Sequence, residues 1–599
     1  MANFLKILFG SCLGSLLALF VLFLIGSSIV AGIASSAEEK PTITANSVLH
    51  LDLSQVPELS GNVTPDSPFP DFRDLDSKIL GLHDIVRVIE TAAEDDDIKG
   101  LYLNYGNLSI PFTTMRTIRQ AVERFRVTDK FTIAFAPNYS QSAYYLASAC
   151  EEVYLGPLGI VDFRGLGAEL FFVKNALDKA GIKMEVFYAG DYKSATELFR
   201  RTEASPENRE QTKEFLTDLY GVMVNDIAAS RGVAAADIRR AANNITGWRD
   251  TEAVAAGLVT DLVHRTEIDE LLHDELGLDD DEAIQLVGLN RYFSARMDRL
   301  DGGGDTEVAV LIAEGSIIDG TGDPQTIGDR KYVNELEKLA EDDDVKAVVL
   351  RVNSGGGSAS SSENIWYAVE HLKETGKPVV VSMGDYAASG GYYVAAGADR
   401  IFAEPTTITG SIGVFLTFPI LKELMNDKIG VTFDTVNTAD YATAFSPFRE
   451  LSPGVSDLLN TRTEAIYETF VGRVAEGRNL SRERVLEIAG GRVYSGTRAA
   501  EIGLVDELAG LDGAIAYAAA QAGFDERDDY TIGHYPKTKP AFEQFLEEFV
   551  GSDDDGDNIV TEAVLRKQLG ADAYEYFKFM RSVTQQQGAQ ARLPLKVTF

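Results

Sequence analysis

The chain has 599 residues, 45% of them hydrophobic and 25% charged, with a formal net charge of −37. That length exceeds what one core supports and predicts two or more domains. The acidic balance argues against nucleic acid, whose phosphates it would repel, and keeps the body off anionic lipid surfaces.

The first feature in chain order is an uncharged apolar run, Ile7 to Ala37, 31 residues long. About 20 such residues span a bilayer, whereas the apolar part of a cleavable signal peptide runs about 7–15. Residues 1–45 are therefore read as a cytoplasmic N-terminus, one transmembrane helix and a linker, with cleavage after "ASSA" as the alternative. Lys6 and the α-amino group precede the run, and Glu38 and Glu39 follow it. The positive-inside rule then places the N-terminus in the cytoplasm and the body outside. Cys12 lies in this run and Cys150 far from it, so neither a disulfide framework nor a metal cluster is implied.

From Asn46 onward the chain reads as a duplication. "AEDDDIKGLYLNYG" from Ala93 returns as "AEDDDVKAVVLRVN" from Ala340, at an offset of 247. "YYLASACEEVYLGP" from Tyr144 returns as "YYVAAGADRIFAEP" from Tyr392, and "DYKSATELF" from Asp191 as "DYATAFSPF" from Asp440. Ser-Pro at 205 matches Ser-Pro at 452, and "AAGLVTDL" at 255 matches "EIGLVDEL" at 501. Two copies this long are two fused domains rather than a solenoid. They are assigned to 46–300 and 301–545, joined at "DGGGD" (Asp301–Asp305), with an acidic tail, 546–599, expected to be mobile or loosely packed.

Each copy alternates strand and helix. In the second, "VAVLIAE", "VKAVVLRV" and "PVVVSM" are continuous apolar runs, typical of strands buried on both faces. "KYVNELEKLAEDDD" and "SENIWYAVEHLKETGK" between them are amphipathic helices. This order implies an α/β fold with a mainly parallel sheet.

Three stretches carry candidate chemistry. "RVNSGGGSASSS" from Arg351 puts glycines at a strand end, where backbone N–H groups can face a ligand; a flexible turn is the alternative. Ser389 in "YAASGGYY" follows a buried strand and opens an apolar helix, whose unpaired N–H groups would stabilise an oxyanion. Its alternative is an ordinary N-cap. Lys193 in "GDYKSATELF" would by itself be a solvated lysine. The duplication changes the weighing: Lys193 faces Ala442 in the second copy, and Ser389 faces Gln141 in the first. One copy lacks the base and the other the nucleophile, the pattern of a single composite site. The six histidines are scattered along the sequence with no metal-type spacing, and His371 is expected in solvent.

"YAASGGYY", "ITGSIGV" (Ile408–Val414), "DYKSATELF" and "VYSGTRAAEIGLVDEL" (Val493–Leu508) together resemble the bacterial signal peptide peptidase A (protease IV) family in its long duplicated form. The resemblance covers essentially the whole chain. It implies two tandem Clp-protease/crotonase-like domains, a Ser/Lys dyad of Ser389 and Lys193, and Ser411 as the accessory serine. The oxyanion donors would be Gly390 with Gly356 or Gly357. No cofactor or metal is implied. The implied substrates are hydrophobic peptides, chiefly cleaved signal peptides, hydrolysed by a homo-oligomer, a tetramer, anchored in the cell inner membrane with its body on the periplasmic side. Where the family usually has Asn-Ser-Pro-Gly-Gly, this chain has Asn353-Ser354-Gly355-Gly356-Gly357, a looser loop with the same backbone donors. A crotonase-like acyl-CoA enzyme and a catalytically dead peptide-binding scaffold are the competing functions.

Overall fold

The computed structural model describes residues 41–61, 79–279, 282–300, 304–538 and 590–592. The apolar N-terminal run and most of the Asp301–Asp305 joint lie outside the described residues. Among the described residues no helix is long and apolar enough to cross a membrane.

The strands of the first repeat are β1 (Ser47–His50), β2 (Ile98–Leu103), β3 (Phe131–Ala136), β4 (Glu152–Leu155), β5 (Lys183–Ala189), β6 (Asp261–Leu262) and β7 (Gln285–Gly288). Six of them form a parallel sheet in the order β6-β4-β3-β2-β1-β7. The second repeat begins with β8 (Glu307–Glu314), β9 (Ser316–Ile318), β10 (Thr326–Gly328), β11 (Val345–Ser354), β12 (Gly356–Ser358) and β13 (Val379–Ala388). It continues with β14 (Arg400–Ala403), β15 (Ile408–Gly410), β16 (Val414–Ile420), β17 (Val493–Ser495), β18 (Glu507–Leu508) and β19 (Thr531–Tyr535). Parallel pairing runs β18-β14-β13-β11-β8-β19, the same order as in the first repeat. Shared topology is the structural counterpart of the sequence duplication.

Why these runs become central strands is visible in β11. Val348, Leu350 and Val352 face one core with Val369 and Leu372 of the helix Ala359–Glu374. Ala347 and Val349 face the other, with Ile515 and Ala518 of the helix Leu511–Gln521. Side chains alternate across a strand, so an unbroken apolar run is what two covered faces require.

A third sheet joins the repeats, in the order β10-β9-β12-β20-β16-β5, where β20 is Gln590–Arg592. β5 of the first repeat pairs antiparallel with β16 of the second, from Val414↔Ala189 to Ile420↔Lys183. Within the tail, these three residues are paired antiparallel with Gly356–Ser358 and with Phe415, and the rest of 546–599 lies outside the described residues. Main-chain pairing to a glycine edge leaves no compositional trace.

Buried polar contacts also lock the repeats together. The Arg351 guanidinium donates to both carboxylate oxygens of Glu58 at 3.0 Å, and the Asp385 carboxylate accepts from Thr113 N at 2.7 Å. These hold the end of β11 and the middle of β13 against the first repeat, which fixes the frame of the site.

Candidate active site

β13 was expected to end at Met383 but runs to Ala388, delivering Ser389 directly from a strand into the short helix Gly390–Ala395. Ser389 stands at the N-cap position, yet its side chain makes no capping bond. Its backbone has φ 56° and ψ −116°, a region that L-residues rarely adopt and that costs of order 1–3 kcal/mol. The backbone is held there by Ser389 N donating to Gly410 O at 2.8 Å, and by Tyr393 N donating to Ser389 O at 2.8 Å. The N-cap reading is corrected accordingly: the hydroxyl is turned away from the helix and towards Lys193.

Lys193 sits in the turn after β5. Its Nζ lies 2.7 Å from Ser389 Oγ, 3.0 Å from Ser411 Oγ and 3.1 Å from the Ser411 carbonyl. Lys193 is 1% exposed and Ser389 is fully buried. Burial disfavours the ammonium and pushes the Lys193 amine down to about 7. No carboxylate pairs with it among the described residues. Ser411, like Ser389, has a positive φ, 53°, and its N–H is tied to Arg492 O at 2.7 Å.

The glycines divide. A Cβ on Gly390 would meet Ser362 Oγ at 2.6 Å and Gly357 N at 3.1 Å, so Gly390 and Gly357 face each other closely. As the first residue of its helix, Gly390 has an N–H with no partner inside that helix. Gly356 differs, because its N–H donates to Ser354 Oγ at 3.1 Å. The loop is not the flexible turn that its composition allowed. Gly356–Ser358 is an ordered strand, and Asn353 Oδ1 accepts from Tyr386 N at 3.1 Å to bind the ends of β11 and β13 together.

Two observations lay beyond sequence reading. His83 and His534, 451 residues apart, meet at 2.8 Å in the seam between repeats, with Asp512 3.2 Å from His83. Among the described residues no group suited to hold a metal ion is found, and no histidine contacts Lys193 or Ser389. His371 is solvent-facing, its side chain 60% exposed. The other missed residue is Gln211, which contacts both sides of Lys193; the only available signal was its alignment with Leu458.

A buried strand-to-helix serine beside a desolvated lysine is the equipment of a serine hydrolase without histidine. The pattern of Peptidase family S49 matches residues 124–279 and again 371–525. The chain is 37% identical over 453 residues to "Protease 4" of Haemophilus influenzae, covering 73% of this chain and 72% of that one. It is 33% identical over 479 residues to "Protease 4" of Salmonella typhi, covering 79% and 76%. A "Putative signal peptide peptidase SppA" of Enterococcus faecium is 34% identical over 243 residues, 39% of this chain and 70% of its own. The chain belongs to peptidase family S49, with its domain present twice, and is a serine peptidase. The acyl-CoA enzyme and the inert scaffold give way to that assignment.

Proposed function

We propose that the protein is a membrane-anchored endopeptidase that degrades hydrophobic peptides, cleaved signal peptides above all, with Ser389 as nucleophile and Lys193 as general base. The observation that carries this reading is the 2.7 Å approach of Lys193 Nζ to Ser389 Oγ in a fully buried setting. A free lysine, with pKa about 10.4, is a poor base at neutral pH. One brought to about 7 is half neutral there.

The three contacts of Nζ suit the neutral amine. Its two N–H groups go to Ser411 Oγ and the Ser411 carbonyl, leaving the lone pair for the Ser389 hydroxyl. As Oγ attacks the scissile carbonyl, its proton passes to Nζ. The N–H groups of Gly390 and Gly357 receive the oxyanion. Collapse expels the amine, which takes the proton from Nζ and leaves an acyl-Ser389. Water then attacks that ester, giving its proton to Nζ, and the departing serine alkoxide recovers it.

The strands around this dyad suit an extended peptide. β20 pairs through its main chain with β12 and β16, as an added strand does in peptide recognition. Similarity to the putative signal peptide peptidase of Enterococcus faecium supports signal peptides as substrates. The Ile7–Ala37 run supports a single anchor in the inner membrane, N-terminus cytoplasmic and body periplasmic, which would hold the enzyme where such peptides reside. Two Clp-protease/crotonase-like repeats, 46–300 and 301–545, and a homo-oligomeric assembly complete the proposal.

The test is hydrolysis of a synthetic signal peptide by the full chain in detergent. Ser389→Ala and Lys193→Ala should each lower kcat/KM by about 10⁴-fold or more while leaving the fold intact. Substantial turnover by folded Lys193→Ala would refute the dyad.

A further inference from the structure

Lys193 and Ser389 come from different repeats, so something must hold the lysine turn in register with the serine strand. The long helix Pro206–Arg231 lies across that junction. Its Gln211 is 1% exposed. The Gln211 amide Nε2 donates to the Tyr192 carbonyl at 3.1 Å and to Ser194 Oγ at 3.1 Å, the residues on either side of Lys193. Its Oε1 accepts from Val493 N at 3.2 Å. Val493 belongs to β17 and pairs with Gly410, whose carbonyl receives Ser389 N, while Arg492 beside it holds Ser411 N. One amide therefore ties the lysine turn of the first repeat to the strand that anchors both serines of the second.

We propose that Gln211 is a positioning residue that sets Lys193 against Ser389, an inference that rests on the dyad reading above. The role needs a donor and an acceptor on one neutral side chain, which an amide supplies and a carboxylate or aliphatic chain does not.

The duplication supports this independently. Both long helices begin with Ser-Pro, and Ser205 and Ser452 cap them alike. That shared start places Leu458 at the position of Gln211, and Leu458 is 54% exposed. The repeat that lost the lysine, with Ala442 in its place, has also lost the amide. On the same helix face Asp218 binds Ser495 Oγ at 2.8 Å, and its counterpart is Ala465.

Charged groups near the turn are already engaged. Glu197 accepts from Ser205 N and from Asn208, and Arg492 pairs with Glu210 and Glu214. The proximity of Gly491 seals the lysine stem, since a Cβ there would sit 2.7 Å from Lys193 Cα. Slackening the turn would admit water to Nζ, favour the ammonium and move the rising limb of activity to higher pH.

The experiment uses the full chain with Gln211→Met, an unbranched neutral replacement of similar length, and a signal-peptide substrate. The expected result is kcat lower by about 100-fold with KM within about twofold, because reacting groups displaced by about 1 Å lose that much. The rising limb should also move up by about half a pH unit or more. Gln211→Leu, which installs the residue of the other repeat, supplies the same readouts if Gln211→Met does not fold. A folded variant with an unmoved limb overturns the proposal, whether its kcat is normal or uniformly reduced. Lys193→Ala measured in parallel separates the two claims. An active Lys193→Ala protein refutes the dyad, whereas an inactive one beside an unaffected Gln211 variant refutes only the positioning role.

Discussion

The two repeats place the same strand-to-helix turn at the same point of the same sheet order and use it differently. In the second, the turn carries Ser389, with its hydroxyl left for Lys193. In the first, Ser140 caps the helix Gln141–Ala147 in the ordinary way, its Oγ accepting from Ala143 N. Gln141 then turns its side chain onto the neighbouring loop. Its Oε1 accepts from Arg164 N at 3.0 Å and Gly165 N at 2.9 Å, and its Nε2 donates to Gly165 O at 3.2 Å. Ser411 aligns with Phe163, so the first repeat lacks the accessory serine as well. The glutamine at the serine's position is thus spent on holding a loop. Both ends of its amide are engaged, and the turn carries neither the serine nor the lysine. The comparison teaches that the second repeat's turn carries backbone strain and a buried amine with no carboxylate partner, and that the first repeat's turn carries neither.

The comparison breaks first at Lys193. Lys193→Met should abolish hydrolysis and also stabilise the chain. The buried amine is held at about 7, below its unfolded value of about 10.4. The native state therefore bears a cost that is fully present below about pH 7 and fades as pH rises towards 10. That cost is at most about 4–5 kcal/mol, less what the three contacts of Nζ return. Denaturant titrations at pH 6 and pH 9.5 should show the larger gain at pH 6. Loss of stability at pH 6 would contradict the account.

Ser411→Ala sharpens it next. Removing one of the three contacts of Nζ should lower kcat by about 10–100-fold without abolishing it, since the Ser411 carbonyl still orients the amine. Steady-state kinetics on a signal peptide would measure this.

Gln141→Ala should have the smallest effect on turnover and a real one on stability. Two backbone N–H groups lose their acceptor, costing about 1–3 kcal/mol, while kcat/KM should stay within about twofold. A large fall in activity with the fold intact would show that the first repeat contributes chemistry beyond Lys193.

Much of this was legible because duplication acts as an internal control. Lys193 alone reads as a surface lysine; it is a candidate because Ala442 faces it in the copy that carries Ser389, while its own copy has Gln141 in place of that serine. The central strands were legible for the same reason that β11 is buried, since apolar runs have to satisfy two covered faces. What sequence could not carry was geometry set by main-chain conformation. The positive φ of Ser389 overrides the capping preference of serine, and the Ser354 hydroxyl takes the Gly356 N–H, which favours Gly357 in the proposed oxyanion site. Contacts between distant segments, His83 with His534 and β20 with β12, left no local pattern to read.

The central claim, that a neutral Lys193 from one repeat activates Ser389 of the other, is tested most directly by the rate at which a phosphonofluoridate modifies the full chain across pH 5 to 10. The account predicts one adduct, on Ser389, forming at a rate that rises through a single ionisation near 7 and falls to background in Lys193→Ala. An adduct on another residue, or the same rising limb in folded Lys193→Ala, would contradict it.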